Sequence, residues 1–310
     1  MIGVFAYNHE TTVRQSLRSL AAALGDCHAD VWIYDDASVD ATESVIRSEL
    51  KKGIFGETTT VHLKVRERNI GFHEGLKCFY EIARGKPHVV LSGDDFMAVR
   101  AIENLLAGAL SDSSVGVAVP RVRLLEESGR EIAAPRYYRR FWNSVQQPTV
   151  LKATVAHKTL VTLGNFVPAS GTLIMGNRVS SPLASSLGLA HLEDYELWLR
   201  LSEVSDFVLV PNAEVFYTFS MKGRLNSDPI QTFGAARRLT DYYFQQTANQ
   251  SYRLIEARGA ISCIRTLIRQ KRLSIGDAYH VLRHPPPISL ALAFLNRIAK
   301  PIHKSDKSSM

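Results

Sequence analysis

Trp32-Ile33-Tyr34-Asp35-Asp36-Ala37-Ser38-Val39-Asp40 is an apolar run that breaks into two carboxylates and then turns polar. A short apolar run bounded by turn residues has the pattern of a buried strand, and Asp40 stands where it can cap a following helix that carries Val45, Ile46 and Leu50. Similar runs flank it on both sides: Ile2 to Ala6 before it, then Val61 to Val65 and His88 to Leu91. Helical spacing fills the intervals. Val13, Leu17, Leu20, Ala21 and Leu24 share one face, with Thr11 or Thr12 ahead of them to accept from first-turn amides; Phe72, Leu76, Phe79, Tyr80 and Ala83 form another, closed by Gly85 and Pro87. Strand and helix patterns in alternation predict a βαβ series with a parallel sheet. Such a sheet gathers its ligand at the carboxyl ends of its strands, where loops and helix N-termini converge. Those ends carry Asn8, the pair Asp35 and Asp36, then Asn69 and Gly71, and finally Asp94 and Asp95.

The rest of the composition bounds the answer without choosing it. With 310 residues the chain buries a sizeable core as one large domain with an appendage or two medium ones; 45% hydrophobic and 22% charged residues exclude a membrane bundle or a disordered chain. Cys27, Cys78 and Cys263 are far apart and odd in number, which argues against a disulfide framework or a zinc site and for a reducing compartment. Met1 runs directly into Ile2-Gly3-Val4-Phe5-Ala6 without a basic leader and a long apolar segment, so the expectation is a cytoplasmic chain with no signal or anchor at that end. A net charge of +7 favours anionic partners, among which charge alone does not decide. A nucleic-acid partner is not expected, because no recognition helix or stacking platform accompanies that charge.

Beyond the first four runs the pattern becomes mixed. A helix is predicted around Ile102 to Ala109, and strands around Val115 to Val122, Thr172 to Met175, Phe207 to Val210 and Val215 to Phe219. Arg136 to Pro148 has no clean period and reads as an aromatic, basic loop, and Met221 to Pro229 as a polar lid segment. Helices are predicted from Gln231 to Lys300, with Leu254, Ile255, Ile261, Ile264, Leu267 and Ile268 as one face and Pro285-Pro286-Pro287 as a break. The apolar stretch 288–300 with its basic tail is too short to span a bilayer; it either lies on the inner face of the membrane as a peripheral contact or packs on the protein. These patterns divide the chain into a domain over 1–220 and a lid with a C-terminal helical region over 221–310.

Three acidic segments carry the chemistry. In Leu91-Ser92-Gly93-Asp94-Asp95-Phe96 two aspartates leave an apolar strand and repel each other unless a cation, a hydroxyl or an amide shares the site; magnesium or manganese suits such oxygen ligands. Asp35 and Asp36 end another strand, well placed to bond the base or ribose of a nucleotide. Leu192-Glu193-Asp194-Tyr195-Glu196-Leu197-Trp198-Leu199-Arg200 is an acidic start to an amphipathic helix, which taken alone is as well explained by the helix dipole.

Together with Phe5-Ala6-Tyr7-Asn8 and Arg68-Asn69-Ile70-Gly71, these segments, in this order, resemble the family 2 glycosyltransferases over about residues 1 to 220. The resemblance implies an α/β chain of the GT-A fold, a Rossmann-like nucleotide-diphospho-sugar transferase with a mixed sheet flanked by helices and a C-terminal helical extension. It also implies inverting transfer from a UDP-, dTDP- or GDP-sugar to a hydroxyl of a glycan or lipid-linked acceptor, in cell-surface polysaccharide or glycoconjugate assembly, with Mg or Mn. Carried over by position, Ala6, Tyr7, Asn8 and Asp36 would hold the nucleoside, with Asn69 and Gly71 approaching the nucleotide. Asp94 would face the ribose and diphosphate and share the metal with Asp95, and Asp194 would be the general base. Glu193 and Trp198 are candidate diphosphate or acceptor contacts, with Tyr195 the alternative to Trp198 for stacking on an acceptor sugar and the core the more natural place for Trp198. Two departures stand out: the family often has an aspartate at Ser92, and an Arg and a His near Thr218 and Ser220. They imply a thinner metal shell, with Lys222 or Arg224 sharing the diphosphate charge, or a nucleotide- or glycan-binding module that has lost catalysis.

Overall fold

The structure, a computed structural model, describes residues 1–126, 128–179, 189, 192–219 and 229–270, with the backbone alone at 137, 219 and 230. Two compact units divide the chain: Met1–Ser186 with Asp194–Phe219, and Leu187–Glu193 with Ser220–Met310.

The first unit opens with the predicted alternation: β1 (Ile2–Ala6), α1 (Val13–Leu24), β2 (Ala29–Asp35), α2 (Thr42–Lys51), β3 (Thr59–Val65), α3 (Phe72–Ala83) and β4 (Pro87–Ser92). It continues as β5 (Phe96–Met97), α4 (Ala101–Leu110), β6 (Val115–Glu126), β7 (Glu131–Ile132), α5 (Arg136–Asn143), β8 (Thr149–Leu151), α6 (Ala153–Leu163), β9 (Leu173–Met175), α7 (Glu193–Val204) and β10 (Asp206–Phe219). Among the described residues all ten strands join one sheet, ordered β3-β2-β1-β4-β9-β6-β10-β5, with β7 on β6 and β8 on β10. β3, β2, β1 and β4 run parallel, while β9 lies antiparallel to both β4 and β6, which makes the sheet mixed.

Alternation along each strand sends successive side chains to opposite faces. Val4, Val31, Ile33 and Leu91 meet Leu17 and Leu20 of α1, Ile46 of α2 and Leu105 of α4 in one apolar cluster. Each of these side chains is fully buried, and each such burial stabilises the fold by about 1.5–3 kcal/mol. On the opposite face Phe5 stacks on Tyr34 with centroids 5.0 Å apart, and Phe79 of α3 meets Phe5 edge-on at 6.1 Å. Thr12 stands before α1 but does not cap it; its hydroxyl donates instead to the Gly93 carbonyl at 3.1 Å, joining the first loop to the acidic turn. Asp40 does serve the start of α2, its Oδ1 accepting from the Thr42 amide at 2.9 Å.

Two expectations change. Arg136 to Pro148 is not all loop, because α5 forms within it: Tyr138 and Trp142 lie four residues apart on one helical face and are buried. Only two large apolar residues mark that stripe, too few to show a period. The strands expected at Phe207 to Val210 and Val215 to Phe219 are one, β10, with a register shift between Val210 and Glu214 where it follows β6.

The second unit contains α8 (Pro229–Thr247), a 3₁₀ turn (Gln250–Tyr252) and α9 (Arg253–Arg269). Ile255, Ile264 and Leu267 of the predicted face are buried, whereas Leu254 and Ile261 are exposed. The segments 221–228 and 288–300 lie outside the described residues. Among the described residues no helix is long and apolar enough to cross a membrane.

Candidate active site

The site begins where β1 and β2 end side by side. Their parallel register sets Ala6 opposite Asp35, and the Asp36 amide donates to the Ala6 carbonyl at 2.9 Å. Asn8 has a positive φ of 55°, which an asparagine tolerates. Its Oδ1 accepts from the Val39 amide at 2.9 Å and its own amide donates to Ser38 Oγ at 3.0 Å, so Asn8 staples the two loops together.

Asp36 is held from three sides. Arg66 Nη1 donates to Oδ1 at 2.8 Å, the Ile70 amide to Oδ1 at 3.1 Å and the Gly71 amide to Oδ2 at 2.8 Å. Gly71 precedes α3 with φ of 83°, a backbone state open to glycine, and so presents its N–H to the carboxylate at the helix start. Burial pushes the Asp36 carboxyl up, but the Arg66 hydrogen bond and the two amides outweigh it and hold the group below the usual aspartate range. Phe5, Ala6, Tyr7, His9, Tyr34, Asp36, Arg66, Asn69, Gly71, Phe72 and Ser92 line a cavity of about 330 Å³.

Ser92 links this cavity to the acidic turn, since its hydroxyl donates to Asp94 Oδ1. The turn is pressed against β1: the Gly93 amide donates to the Phe5 carbonyl at 2.7 Å, and a Cβ on Gly93 would lie 2.7 Å from His9 Nδ1 and 3.2 Å from that carbonyl. Only glycine fits there without displacement. Asp94 is part-exposed, with His9 Nε2 4.0 Å from its Oδ2. Asp95 is 1% exposed; its Oδ1 accepts from the Thr218 amide at 2.9 Å, while its Oδ2 is buried and makes no hydrogen bond. Burial and then the neighbouring Asp94 charge push the Asp95 carboxyl up to about 8.

An unbonded buried carboxylate oxygen beside a second carboxylate fits a divalent cation, which would satisfy it and reverse the pKa shift. Among the described residues no cluster of three or more His, Cys, Asp or Glu side chains is placed to hold a metal ion, and the two aspartates are the candidate donors there. Magnesium and manganese both accept such a set, completed by substrate phosphates and water.

Thr218 closes the turn from the far side. β5, directly after the acidic pair, is paired antiparallel to β10 with Phe96 opposite Phe216. That pairing brings Thr218 over the turn, where its hydroxyl also donates to the Asp94 carbonyl. Ser92 and Thr218, two of the three positions where the chain departs from the family pattern, thus both fasten the acidic turn through hydroxyls; the third, Ser220, lies outside the described residues.

Asp194 lies near the start of α7, its Oδ2 accepting from Asn165 Nδ2 at 2.9 Å and its Oδ1 from the Tyr195 amide at 2.7 Å. Its charge reaches the same neighbourhood as the acidic turn. Burial first, then Asp95, Asp194 and Asp94, hold the Tyr217 phenol proton far above the usual tyrosine range. One phenol therefore senses all three carboxylates.

The predicted residues divide accordingly. Ala6, Tyr7, Asp36, Asn69 and Gly71 share the cavity; Asn8 joins the two loops; Asp94 and Asp95 adjoin the cavity through Ser92, and Asp194 is linked to them through their shared electrostatic influence on Tyr217. Trp198 is 2% exposed, so its ring is interior and offers no face to an acceptor. Glu193 begins α7 but falls with the second unit, and Lys222 and Arg224 lie outside the described residues. Sequence reasoning missed Arg66 and Asn165. Arg66 had a signal, a cation directly after a strand whose parallel neighbour ends in two acids; Asn165, 29 residues before Asp194 in an irregular segment, had none.

Residues 1–167 match the model of a protein family described as glycosyl transferase family 2. Among curated proteins, "Uncharacterized protein Rv1520" of Mycobacterium tuberculosis (strain ATCC 25618 / H37Rv) is 32% identical over 96 residues, 29% of this chain and 25% of that protein. The match therefore spans about a quarter of that relative's length. Among solved structures, S. aureus TarS 1-349 superposes with a TM-score of 0.59 at 13% identity, covering 95% of this chain and 77% of that one. Its complex with UDP-GlcNAc gives 0.58 at 13% identity over 96% and 80%. GalNAc-T7 with UDP, GalNAc and Mn2+ gives 0.50 at 14% identity over 81% and 51%. These likenesses establish a shared fold, the GT-A architecture of a central mixed sheet flanked by helices.

Proposed function

The chain belongs to glycosyl transferase family 2, and from that membership we propose that it moves a sugar from a nucleotide-sugar donor to an acceptor hydroxyl with inversion at the anomeric carbon. One observation carries the proposal. A cavity lined by Ala6, Asp36, Arg66, Asn69 and Gly71 ends at Ser92, whose hydroxyl holds the first carboxylate of a turn in which the second keeps an unbonded buried oxygen.

The nucleoside sits in that cavity, against Tyr7 and the loop stapled by Asn8, with the charge of Asp36 and Arg66 already paired. Asp94 and Asp95 would hold a divalent cation, whose positive charge would offset that building on the diphosphate leaving group. Asp194, oriented by Asn165, takes the proton of the acceptor hydroxyl as that oxygen attacks the anomeric carbon from the face opposite the diphosphate. The setting proposed for this chemistry is polysaccharide or glycoconjugate assembly at the inner face of the membrane. UDP-, dTDP- and GDP-sugars are the candidate donors, and UDP-GlcNAc is the first to try because a TarS structure of the same fold contains it.

The test is a donor panel. Purified chain with Mn²⁺ or Mg²⁺ is expected to release nucleoside diphosphate from at least one of these sugars, and chelation with EDTA is expected to stop it. Nucleotide binding that ignores the cation, with no turnover across the panel, would instead identify a binding module that has lost catalysis.

A further inference from the structure

His9 is fastened by its backbone and idle at its ring. Its amide donates to Thr42 Oγ1 at 2.7 Å, and its carbonyl accepts from the Thr12 and Val13 amides at 3.0 and 2.8 Å. The loop after β1 is thereby tied to the starts of α1 and α2, and the imidazole has a fixed root. Among the described residues neither ring nitrogen has a hydrogen-bond partner: Nδ1 is buried and unbonded, and Nε2 stands 4.0 Å from Asp94 Oδ2, beyond bonding distance. His88 and His157 differ, for the Nδ1 of each has a partner, the Lys86 carbonyl at 2.8 Å and the Ser202 hydroxyl at 2.9 Å. Only 23% of the His9 side chain is exposed, and a polar group enclosed to that degree persists unbonded where a ligand completes it.

The ring stands at the joint between the two parts of the site. His9 and Ser92 both line the nucleoside cavity; Ser92 bonds one oxygen of Asp94, and His9 faces the other. Gly93 makes room for the imidazole, since a Cβ there would lie 2.7 Å from Nδ1. A nucleoside diphosphate whose nucleoside fills the cavity and whose phosphates meet a cation on Asp94 and Asp95 has to pass this ring. The cationic side chain that lines the cavity, Arg66, is already bound to Asp36. With two aspartates at the joint, what the phosphates still need from the protein is a hydrogen-bond donor. A neutral imidazole carries one N–H. Nδ1 is enclosed beside Gly93, so Nε2 is the nitrogen able to present that hydrogen to a ligand.

We propose that His9 Nε2 donates a hydrogen bond to a phosphate oxygen of the nucleoside diphosphate, fixing the donor where its nucleoside meets the cation and taking up part of the charge that grows on the leaving group. This rests on the transferase assignment above, and the experiment separates the two. Full-length chain in EDTA, so that no cation mediates the effect, is titrated calorimetrically with UDP, dTDP and GDP, and the tightest of the three is compared with its own nucleoside by competition. His9→Ala is expected to weaken the diphosphate about tenfold and to leave the nucleoside unchanged. His9→Gln, whose amide nitrogen can reach the place of Nε2, is expected to recover most of the loss, and His9→Asn, whose amide extends only as far as Nδ1, little of it. All three substitutions keep the backbone bonds of residue 9. With Mn²⁺ and a sugar donor, kcat for diphosphate release is expected to fall in the same order. Equal diphosphate affinity in wild type and His9→Ala would overturn the proposal. So would a parallel loss of diphosphate and nucleoside, which would make His9 a wall of the cavity, or a loss of Mn²⁺ binding by paramagnetic resonance with diphosphate affinity in EDTA intact, which would make it a ligand of the cation. Wild-type chain whose diphosphate affinity depends on His9, yet which releases diphosphate from no sugar donor, sinks the transferase assignment and leaves the contact standing.

Discussion

The two halves of the site are held in opposite ways. On the donor side Asp36 has three donors, Asn8 ties two loops together through its amide and its Oδ1, and the loops around the cavity come from consecutive βα units within the first 92 residues. On the catalytic side the acidic turn depends on Thr218, 123 residues after Asp95, and Asp194 on Asn165, while one oxygen of Asp95 has no partner. The contrast is sharpest between two carboxylates: both oxygens of Asp36 are satisfied within the fold, whereas one oxygen of Asp95 is buried without a partner. Unsatisfied buried polar atoms are costly, so they persist where a ligand completes them.

Substitutions on each side break this comparison in different measures. The largest effect is expected from Asp194→Asn, which removes the candidate base and should slow transfer by about 10²- to 10⁴-fold while UDP raises the melting temperature as in wild type; unaltered turnover would place the base elsewhere. Next comes Asp36→Ala. It strands a largely buried Arg66 and two amides and is expected to cost about 3 kcal/mol in urea unfolding, with donor affinity falling alongside stability. The Asp36 carboxyl is depressed on folding from an ordinary value of 3.8. Its contribution is therefore fully present above that value and is lost as pH falls through the lower folded value, and the acid limb of unfolding should flatten in Asp36→Asn.

Gly93→Ala is expected to cost about 1–3 kcal/mol, because the added Cβ meets His9 and the Phe5 carbonyl; a melting curve identical to wild type would show that the turn yields freely. The smallest effect sharpens the comparison most. Thr218→Val keeps the amide bond to Asp95 but deletes the hydroxyl bond to the Asp94 carbonyl, a loss of about 1 kcal/mol. It should raise the Mn²⁺ concentration for half-maximal activity roughly fivefold and weaken Mn²⁺ binding equally by paramagnetic resonance, with Thr218→Ser restoring both. A fall in kcat with no change in Mn²⁺ binding would assign Thr218 a different part.

Much of the parallel half of the sheet was legible because its signal is local. Four apolar runs, their helical intervals and the carboxylates at their ends were each visible within a dozen residues, and β1 to β4 formed where those runs lie. The family pattern of the acidic segments was visible in the same way. α5 was missed because an eight-residue amphipathic helix shows too few turns to declare a period. Trp198 was open to two readings, an acceptor contact or, more readily, a core residue, and the packing of α7 puts it in the core.

What the amino-acid sequence determined by itself, then, is the list of strands and helices around β1 to β4 and the chemistry at their ends, since strand period, turn residues and paired carboxylates act over short distances. Which groups meet was left to tertiary structure. Thr218 over Asp95, Asn165 on Asp194 and Arg66 on Asp36 are contacts between segments far apart in the chain. Their proximity follows from the order and register in which ten strands pair, and no local pattern encodes that order.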